Sequence, residues 1–419
     1  MRLANLRRTE LGLRACKRGR LELVVNLALA GFCASAVHAA TSVRWVDAWS
    51  APADSAGPSF NAQTVRQVIR TTVGGSSIRM RLSNLFGTAP VTIGPVHVAA
   101  RASGSGIRAG TDCAVTFGGK LIVTIAKGAE ALSDPVSFPV TALEELSVSL
   151  YLPGHTDKST VHALALQTAY ITVAGDATAA AIFPPSEVAS SRFFLTDVEV
   201  AEESAARTIV AVGDSITDGY GSTLNQNARW TDWLAARLQT DPAFASIAVI
   251  NAGISGNRLL NDDTGPSTLS RFDRDALSKS GVHWILLLEG TNDIGVAGAP
   301  PTAKDDVSAQ QIIDAMKALI ARAHEKGIKI LGATLTPYGG VDWPYHSEAG
   351  EAKRRAINAW IRAGGAFDGF VDFDQAVRDP KLPEHLLAAN DSGDHLHPND
   401  VGYKAMAESI DLSLFARDK

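Results

Sequence analysis

The chain has 419 residues, of which 46% are hydrophobic and 20% charged, as is typical of a globular protein, and it is too long for one ordinary domain. Its net charge of -5 is small for this length, and basic residues cluster only at the extreme N-terminus. These features give no indication of a nucleic-acid partner or of an anionic membrane surface.

The first 40 residues have the features of a secretory signal. Basic residues between positions 2 and 20 precede an apolar run at 23–32, and small residues follow it. A membrane anchor is the alternative, but the run is short for a bilayer span and Asn26 interrupts it. We therefore expect cleavage near residue 40, export to the periplasm or the medium, and no stable membrane anchor. Cleavage would leave Cys113 as the single cysteine, so no internal disulfide is expected.

Residues 41–203 are predicted to form an N-terminal β-sandwich. The segment 78–82 alternates apolar and charged residues, as a strand with one buried face should, and 121–125 and 146–152 are further β-rich runs. Turn signals are expected to separate the strands, at 74–75, 103–106, 118–119 and 153–154. Many short strands with Gly-rich turns favour a sandwich over a helical domain.

Near residue 205 the pattern changes, and 204–419 is predicted to be the catalytic domain. Apolar strand runs alternate there with helical segments, which indicates a parallel sheet covered on both faces. One helix is expected to start near Arg229, and the clearest one runs over 309–326 with apolar residues on one side. The predicted strands are 207–212, 248–250, 284–288, 328–333 and 370–373.

Three polar segments follow strands of this predicted sheet: 213–215, 290–293 and 394–397. In a doubly wound sheet, ligands bind outside the carboxyl ends of the strands, so these segments are expected to meet there. Each segment alone is a weak signal. Gly-Asp-Ser is common in turns, and Asp-x-x-His is as compatible with a helix cap or a metal ligand.

Taken together, the three segments supply the groups of a nucleophilic serine site. Ser215 lies where the chain must turn sharply from a strand into a helix. A serine needs a base that a third group orients, and His397 with Asp394 three residues before it can provide both. The oxyanion of a tetrahedral intermediate also needs donors, which the side-chain amide of Asn292 and the N–H groups of Ser215 and Gly256 could supply.

Several nearby residues have competing interpretations. His395 is a second candidate base, but the Asp-x-x-His spacing favours His397. Asp293 is expected to hold its loop by hydrogen bonds, and Arg258 either binds an anionic group or is an exposed arginine without such a role. Trp45 and Trp49 could stack on sugar rings or could be half-buried strand residues.

The set Gly213-Asp214-Ser215, Gly256, Asn292 and Asp394-x-x-His397 resembles the four signature blocks of the SGNH, or GDSL-type, hydrolases, over roughly residues 205–415. The resemblance implies a flavodoxin-like three-layer α/β/α fold and ester hydrolysis with no metal or other cofactor. It also implies Ser215 as nucleophile, His397 as base and Asp394 as its orienting acid, with Ser215, Gly256 and Asn292 as oxyanion donors.

A bacterial two-domain branch of these hydrolases, described as lysophospholipase-like esterases, is similar in further segments, namely 63–67, 82–87, 257–260 and 271–275. We therefore expect a secreted esterase that works through an acyl-Ser215 intermediate. Its expected substrates are short-chain (acetyl) esters on carbohydrates, as small molecules or polysaccharides. Alternatives are a lysophospholipase or thioesterase, an acyltransferase, and, in a different class, a non-catalytic carbohydrate-binding protein.

Overall fold

From Arg44 to Glu202 the chain forms β-strands, and the part of this segment described by the computed structural model contains no helix. The model describes residues 44–202, 206–296 and 305–416, so the predicted signal segment 1–40 lies outside the described residues. The strands are β1 Arg44–Ser50, β2 Ser55–Ala56, β3 Asn61–Arg70, β4 Ser77–Ser83, β5 Val91–Ile93, β6 Val96–Ala100, β7 Cys113–Val115, β8 Val123–Ile125, β9 Glu130–Leu132, β10 Glu145–His155, β11 Thr160–His162, β12 Ala169–Ile171, β13 Glu187–Ala189, β14 Arg192–Phe193 and β15 Leu195–Glu202.

These strands pair antiparallel in four sheets: β13-β12-β3-β10-β6-β7, β1-β15-β4-β9, β14-β11-β2 and β5-β8. The alternation predicted for 78–82 is confirmed in β4, because Ile78, Met80 and Leu82 are fully buried. Arg79, on the opposite face, pairs with Glu199 of the neighbouring strand at 2.5 Å. A β-rich N-terminal part is thus confirmed, and its description as a two-sheet sandwich stays a prediction.

Two local predictions in this part are wrong. Only Val123–Ile125 of the run 121–125 is a strand, because Leu121 and Ile122 are half exposed and lie outside the pairing of β8 with β5. The turn predicted at 153–154 lies inside β10 instead. There the register with β3 shifts between Leu152 and His155, and this irregularity lets the strand pass a proline that has no N–H to donate.

The second part of the chain alternates strands and helices, as predicted. Its strands are β16 Arg207–Gly213, β17 Ile247–Gly253, β18 Val282–Leu288, β19 Lys329–Ala333 and β20 Phe370–Val371. Its α-helices are α1 Ser215–Asp218, α2 Trp230–Thr240, α3 Thr268–Phe272, α4 Thr291–Gly295, α5 Ala309–Glu325, α6 Glu348–Ala363, α7 Phe373–Val377 and α8 Asp400–Ser409. A π-helical turn, Asp273–Leu277, follows α3, and a 3-10 turn, Leu412–Phe415, follows α8.

The five strands form one parallel sheet in the order β17-β16-β18-β19-β20. In chain order this is 2-1-3-4-5, the order of doubly wound flavodoxin-like sheets, whose ligands bind where the order reverses. That point lies between β16 and β18, so the chain segments that leave these two strands meet at one edge. The fifth strand is shorter than predicted, because Asp372 caps α7 by accepting the N–H of Gln375.

The helices form where caps and apolar periodicity coincide. Ser308 caps α5 with a capping box to Gln311, and the buried Ile312, Met316 and Leu319 lie on the inner face of this helix. In the ranges that the structure describes, we find no helix with both the length and the apolar character needed to cross a bilayer.

The β-rich part is hydrogen-bonded directly to the parallel sheet. The Oγ of Ser50 donates to the carbonyl of Asn251 at 2.7 Å, and the N–H of Val249 donates to Oγ1 of Thr72 at 3.1 Å. Residues 42–419 group as one compact unit on their contacts. The division at 203/204 therefore stays a prediction, although each part has its own apolar core.

Candidate active site

Ser215 lies at the first position of α1, immediately after β16. Asp214 precedes it in an extended conformation and caps the helix by accepting the N–H of Ile216 at 3.0 Å. Gly213 makes the tight turn possible, because a Cβ at this position would collide with the Thr217 side chain and with the carbonyl of Leu288. The turn thus places the serine hydroxyl at the strand end next to the point where the sheet order reverses.

The Oγ of Ser215 is 2.8 Å from Nε2 of His397, and Nδ1 of His397 is 2.6 Å from Oδ2 of Asp394. The other carboxylate oxygen of Asp394 accepts the N–H groups of Leu396 and His397. Burial opposes the charge of Asp394, but these bonds from His397 outweigh it and hold the pKa of this carboxyl well below its usual range. A charged Asp394 therefore keeps a proton on Nδ1 and leaves Nε2 of His397 as the acceptor for the serine proton.

The competing histidine is occupied elsewhere. His395 adopts a left-handed backbone conformation with φ of 64° and bonds Asp391 through Nδ1 at 2.6 Å. The structure thus brings His397, and not His395, to Ser215, in agreement with the spacing argument. Asn399 caps α8 by accepting the N–H groups of Val401 and Gly402.

The expected oxyanion donors come from three chain segments that the sheet brings to one edge. Ser215 follows β16, Gly256 lies on the loop after β17, and Asn292 lies in α4 after β18. Gly256 has a left-handed backbone with φ of 77°, which glycine adopts without strain. The Nδ2 of Asn292 donates to the carbonyl of Asn257 at 2.9 Å, so Asn292 is tied to the loop that carries Gly256.

Arg271, whose role the sequence did not reveal, joins these segments. Its guanidinium is fully buried and donates to the carbonyls of Gly213 at 3.0 Å and Ala252 at 2.7 Å and to Oδ1 of Asn257 at 2.9 Å. Five N–H donors in a rigid fork allow one side chain to hold three acceptors at once. Arg271 thereby fixes the ends of β16 and β17 relative to the loop after β17 that carries Gly256, which we call the oxyanion loop after the role expected of Gly256.

Asp293 was expected to hold its own loop by hydrogen bonds, but its carboxylate binds the neighbouring loop, after β17. Its carboxylate accepts the N–H groups of Leu259 at 2.7 Å and Leu260 at 3.0 Å and so holds the loop after β17 from the α4 side. Burial raises the pKa of Asp293 in spite of these bonds.

Two further buried carboxyl groups lie at the same edge. Burial raises the pKa of Asp214 to about 6, and burial together with the charge of Asp214 raises the pKa of Glu289 well above its usual value. Asp214 and Glu289 together therefore carry less negative charge at neutral pH than two ordinary carboxylates would. Glu289 was missed in the sequence, although an acid directly after the apolar run of β18 and before the 290–293 segment is a usable signal.

Two tyrosines also contact the site, and the sequence argument missed both. Tyr220 packs against the ring of His397 with centroids 4.3 Å apart and the ring planes tilted by 41°, and 46% of its surface is exposed. Tyr345 is buried and donates its hydroxyl to Oδ1 of Asn292 at 2.7 Å. Neither tyrosine lies in a motif, but Tyr220 follows Ser215 by five positions and could have been noticed for that reason.

Other candidate residues lie outside this constellation. Arg258 is buried, not exposed, and pairs with Asp305 at 3.2 Å and Asp263 at 3.5 Å, so its charge is already matched within the protein. Trp45 and Trp49 are half buried in β1, each with an arginine over its ring, which agrees with their interpretation as strand residues. Over the described ranges, we find no cluster of three or more His, Cys, Asp or Glu side chains that could hold a metal ion.

Residues 211–405 match the model of the GDSL-like lipase/acylhydrolase family. This part of the chain belongs to that family, and the protein is a carboxylic ester hydrolase. No curated protein matches the sequence.

Several solved structures are similar to about half of the chain. An aryl esterase from M. smegmatis is 19% identical over 48% of this chain and 95% of its own, with a TM-score of 0.39. An acetyl xylan esterase from Geobacillus stearothermophilus is 20% identical over 52% of this chain and 100% of its own, with a TM-score of 0.38. A GDSL-like lipase from Bacteroides thetaiotaomicron is 20% identical over 50% and 88% of the two chains, with a TM-score of 0.37.

Proposed function

We propose that this esterase cleaves its substrates through an acyl-Ser215 intermediate and that its substrates are short-chain, chiefly acetyl, esters of carbohydrates. The observation that carries the first half is the continuous chain of hydrogen bonds from Ser215 Oγ through His397 to Asp394, at 2.8 and 2.6 Å. These are the contacts that an activated serine needs.

In the first step, Ser215 Oγ attacks the ester carbonyl carbon while its proton passes to Nε2 of His397. The negative charge that develops on the carbonyl oxygen is stabilised by the N–H groups of Ser215 and Gly256 and by the amide of Asn292. Collapse of this intermediate breaks the bond to the alcohol, and His397 returns its proton to the leaving oxygen. Asp394 keeps the imidazole oriented and stabilises its charged form throughout.

In the second step, a water molecule gives a proton to His397 as its oxygen attacks the acyl carbon. The second tetrahedral intermediate then breaks the bond to Ser215 Oγ, which recovers its proton from His397. The products are the carboxylic acid and the free enzyme. If an alcohol took the place of water, the same residues would carry out acyl transfer.

The carbohydrate part of the proposal is supported by Tyr220. His397 protonates the leaving alcohol, so an aromatic ring packed against His397 lies on the alcohol side of the site. Tyr220 is half exposed, and a flat aromatic ring suits a sugar ring better than a flexible lipid chain. The short-acyl part of the proposal follows from the small residues of the turn around Ser215.

The proposed chain organisation is an exported protein with a β-sandwich accessory domain at 41–203 and the catalytic domain at 204–419. The separate apolar core of the β-rich part supports this division. The mass and N-terminal sequence of the protein recovered from the periplasm or medium test the export: a mature N-terminus near residue 41 is expected, and a chain that still starts at Met1 would contradict it.

The nucleophile is tested by hydrolysis of nitrophenyl esters from acetyl to palmitoyl with the wild type, Ser215→Ala and the control Ser278→Ala. Ser278 is exposed, and its hydroxyl donates to the local carbonyl of Arg274 at 3.0 Å. We expect Ser215→Ala to lose at least about 10³-fold in kcat and the control to retain wild-type rates. Equal rates for Ser215→Ala and wild type would refute the serine mechanism. A preference for long chains would instead assign the enzyme to lipid esters.

The sugar platform is tested with Tyr220→Ala and Tyr220→Phe on an acetylated pyranoside and on ethyl acetate. Loss of stacking should lower kcat/KM of Tyr220→Ala on the pyranoside about tenfold, equivalent to about 1.4 kcal/mol, with little change on ethyl acetate. Tyr220→Phe should behave as wild type. An equal loss on both substrates would mean that Tyr220 only orients His397.

A further inference from the structure

His162, in the β-rich part of the chain, is buried at the boundary with α1. Its Nδ1 is 3.0 Å from the carbonyl of Pro52 and 3.5 Å from a carboxylate oxygen of Asp54. Its Nε2 is 2.9 Å from the carbonyl of Leu164 and 3.0 Å from Oδ1 of Asp218. Among the residues that the structure describes, both ring nitrogens therefore face only acceptors. A neutral imidazole has a single N–H and would turn a lone pair toward oxygen, whereas an imidazolium satisfies both sides.

The surrounding charges agree with a protonated His162. Burial alone would lower its pKa, but the carboxylates of Asp218 and Asp54 outweigh burial and raise it above the ordinary histidine value. The opposing charge comes from Arg229, which precedes α2, and Arg192 of β14 lines the same small cavity. The acids contact the imidazole directly and the arginines do not, so the acids dominate.

Asp218 connects this histidine to the catalytic elements. It is the last residue of α1, the short helix that begins with Ser215, and it is buried. Its second oxygen, Oδ2, accepts both the N–H of Ser255 at 3.0 Å and the hydroxyl of Ser255 at 2.8 Å. Ser255 directly precedes Gly256, the expected oxyanion donor. One carboxylate thus joins the nucleophile helix to the oxyanion loop, and His162 balances its charge.

We propose that His162 is a positioning residue of the active site: as an imidazolium it holds Asp218, and through Asp218 it keeps the N–H of Gly256 aligned with Ser215. This inference rests on the proposed serine mechanism. It gives the β-rich part of the chain a role in catalysis, because β11 supplies a charge that the parallel-sheet part needs. His162 does not touch the reacting atoms, so its effect should fall on kcat and not on KM.

The inference has a pH signature. His162 has a raised pKa in the folded protein, so its charge attraction to Asp218 is complete below the ordinary histidine pKa and is lost as pH rises through the raised value. The wild-type kcat should therefore decline on the alkaline side as His162 loses its proton.

The experiment measures kcat and KM on nitrophenyl acetate from pH 5 to 10 for the wild type, His162→Gln and the matched control His97→Gln. His97 also pairs with an aspartate, Asp112, at 2.8 Å in the β-rich part, but it has no contact with α1 or the oxyanion loop. We expect His162→Gln to lose about tenfold in kcat at neutral pH, less than the 10²–10³ of deleting an oxyanion donor. Its alkaline decline should disappear and its KM should stay within twofold. His97→Gln should match the wild type.

Two further variants keep the inference testable if His162→Gln does not fold. Asp218→Asn should shift the alkaline decline to lower pH, because the pKa of His162 loses its strongest support. Ser255→Ala should lower kcat with KM unchanged. Wild-type kcat and an unchanged alkaline limb in the folded variants would overturn the inference.

Ser215→Ala is measured in parallel to separate this inference from the serine mechanism. If Ser215→Ala stays active, the serine mechanism itself fails. An inactive Ser215→Ala beside an unaffected His162→Gln refutes only the role of His162.

Discussion

The hydroxyl of Tyr345 lies 2.7 Å from Oδ1 of Asn292, while Nδ2 of the same amide lies 2.9 Å from the carbonyl oxygen of Asn257. A carbonyl can only accept, so the amide nitrogen must face it and Tyr345 must donate to the amide oxygen. Burial raises the pKa of Tyr345 well above its usual value, so the phenol keeps its proton over the working pH range. Asn292 is therefore held with its second amide N–H available to an oxyanion.

This relationship predicts that Tyr345→Phe lowers kcat of ester hydrolysis about three- to tenfold with KM within twofold, because the amide loses its orientation only in part. Asn292→Ala should lower kcat by about 10²–10³, the usual effect of losing one oxyanion donor. Steady-state kinetics on nitrophenyl acetate measures both. Tyr170→Phe, which removes a phenol from β12, serves as the control and should leave kcat unchanged. A larger loss in Tyr345→Phe than in Asn292→Ala would be inconsistent with this arrangement.

The two neighbouring histidines should differ sharply in their effect on rate. We expect His397→Gln to lose at least about 10³-fold in kcat, because His397 is the proposed acceptor of the Ser215 proton and lies 2.8 Å from its Oγ. His395→Gln should stay within about threefold of the wild type, since His395 contacts Asp391 and not the serine. The comparison is made at a temperature well below the melting point of both variants. Similar losses in the two variants would contradict the assignment of the base.

Arg271→Met should destabilise the fold by about 3–5 kcal/mol, the range for removing one partner of a buried charged network. The carbonyls of Gly213 and Ala252 and the side chain of Asn257 would lose their donor inside the protein. Urea unfolding followed by fluorescence measures the change. Arg322→Met is the control: Arg322 is partly exposed and pairs with the exposed Asp273, so its loss should stay within about 1 kcal/mol. Equal changes in the two variants would show that Arg271 is no more important than a surface arginine.

Relative to the wild type at the same pH, Glu289→Gln should stabilise the protein increasingly as pH rises. The pKa of Glu289 is raised in the folded state, so its protonated form favours folding below the ordinary glutamate pKa, and this contribution is lost as pH rises through the raised value. An amide keeps the hydrogen bond from Thr268 without that loss. The difference in Tm between Glu289→Gln and wild type should therefore grow from pH 4 to pH 8. The exposed Glu408→Gln should show no such trend, and a constant difference for Glu289→Gln would argue against a protonated glutamic acid.

Much of the fold was predictable because it depends on local pattern. The apolar runs that became β16 to β19 predicted the strands of the parallel sheet, and the capping residue before α5 and its apolar face predicted that helix. The errors occurred where the pairing between strands overrides the local sequence pattern. The predicted strand 121–125 is shorter in the structure, because only three of its residues pair with another strand. The predicted turn at 153–154 lies inside β10, which accommodates its proline at an irregularity in the pairing.

By itself the sequence predicted the residues proposed to carry the chemistry and their order: Ser215, Asn292, Asp394 and His397 each lie just after a strand or in the last polar loop. A parallel sheet brings such positions to one edge. Only the tertiary structure decided what supports them. Arg271 and His162 contact carbonyls and carboxylates far away in the chain, and no spacing rule records those contacts. The reason is physical: a buried charge is placed by whichever partners the packed fold brings within hydrogen-bond distance, and that is a property of the whole fold.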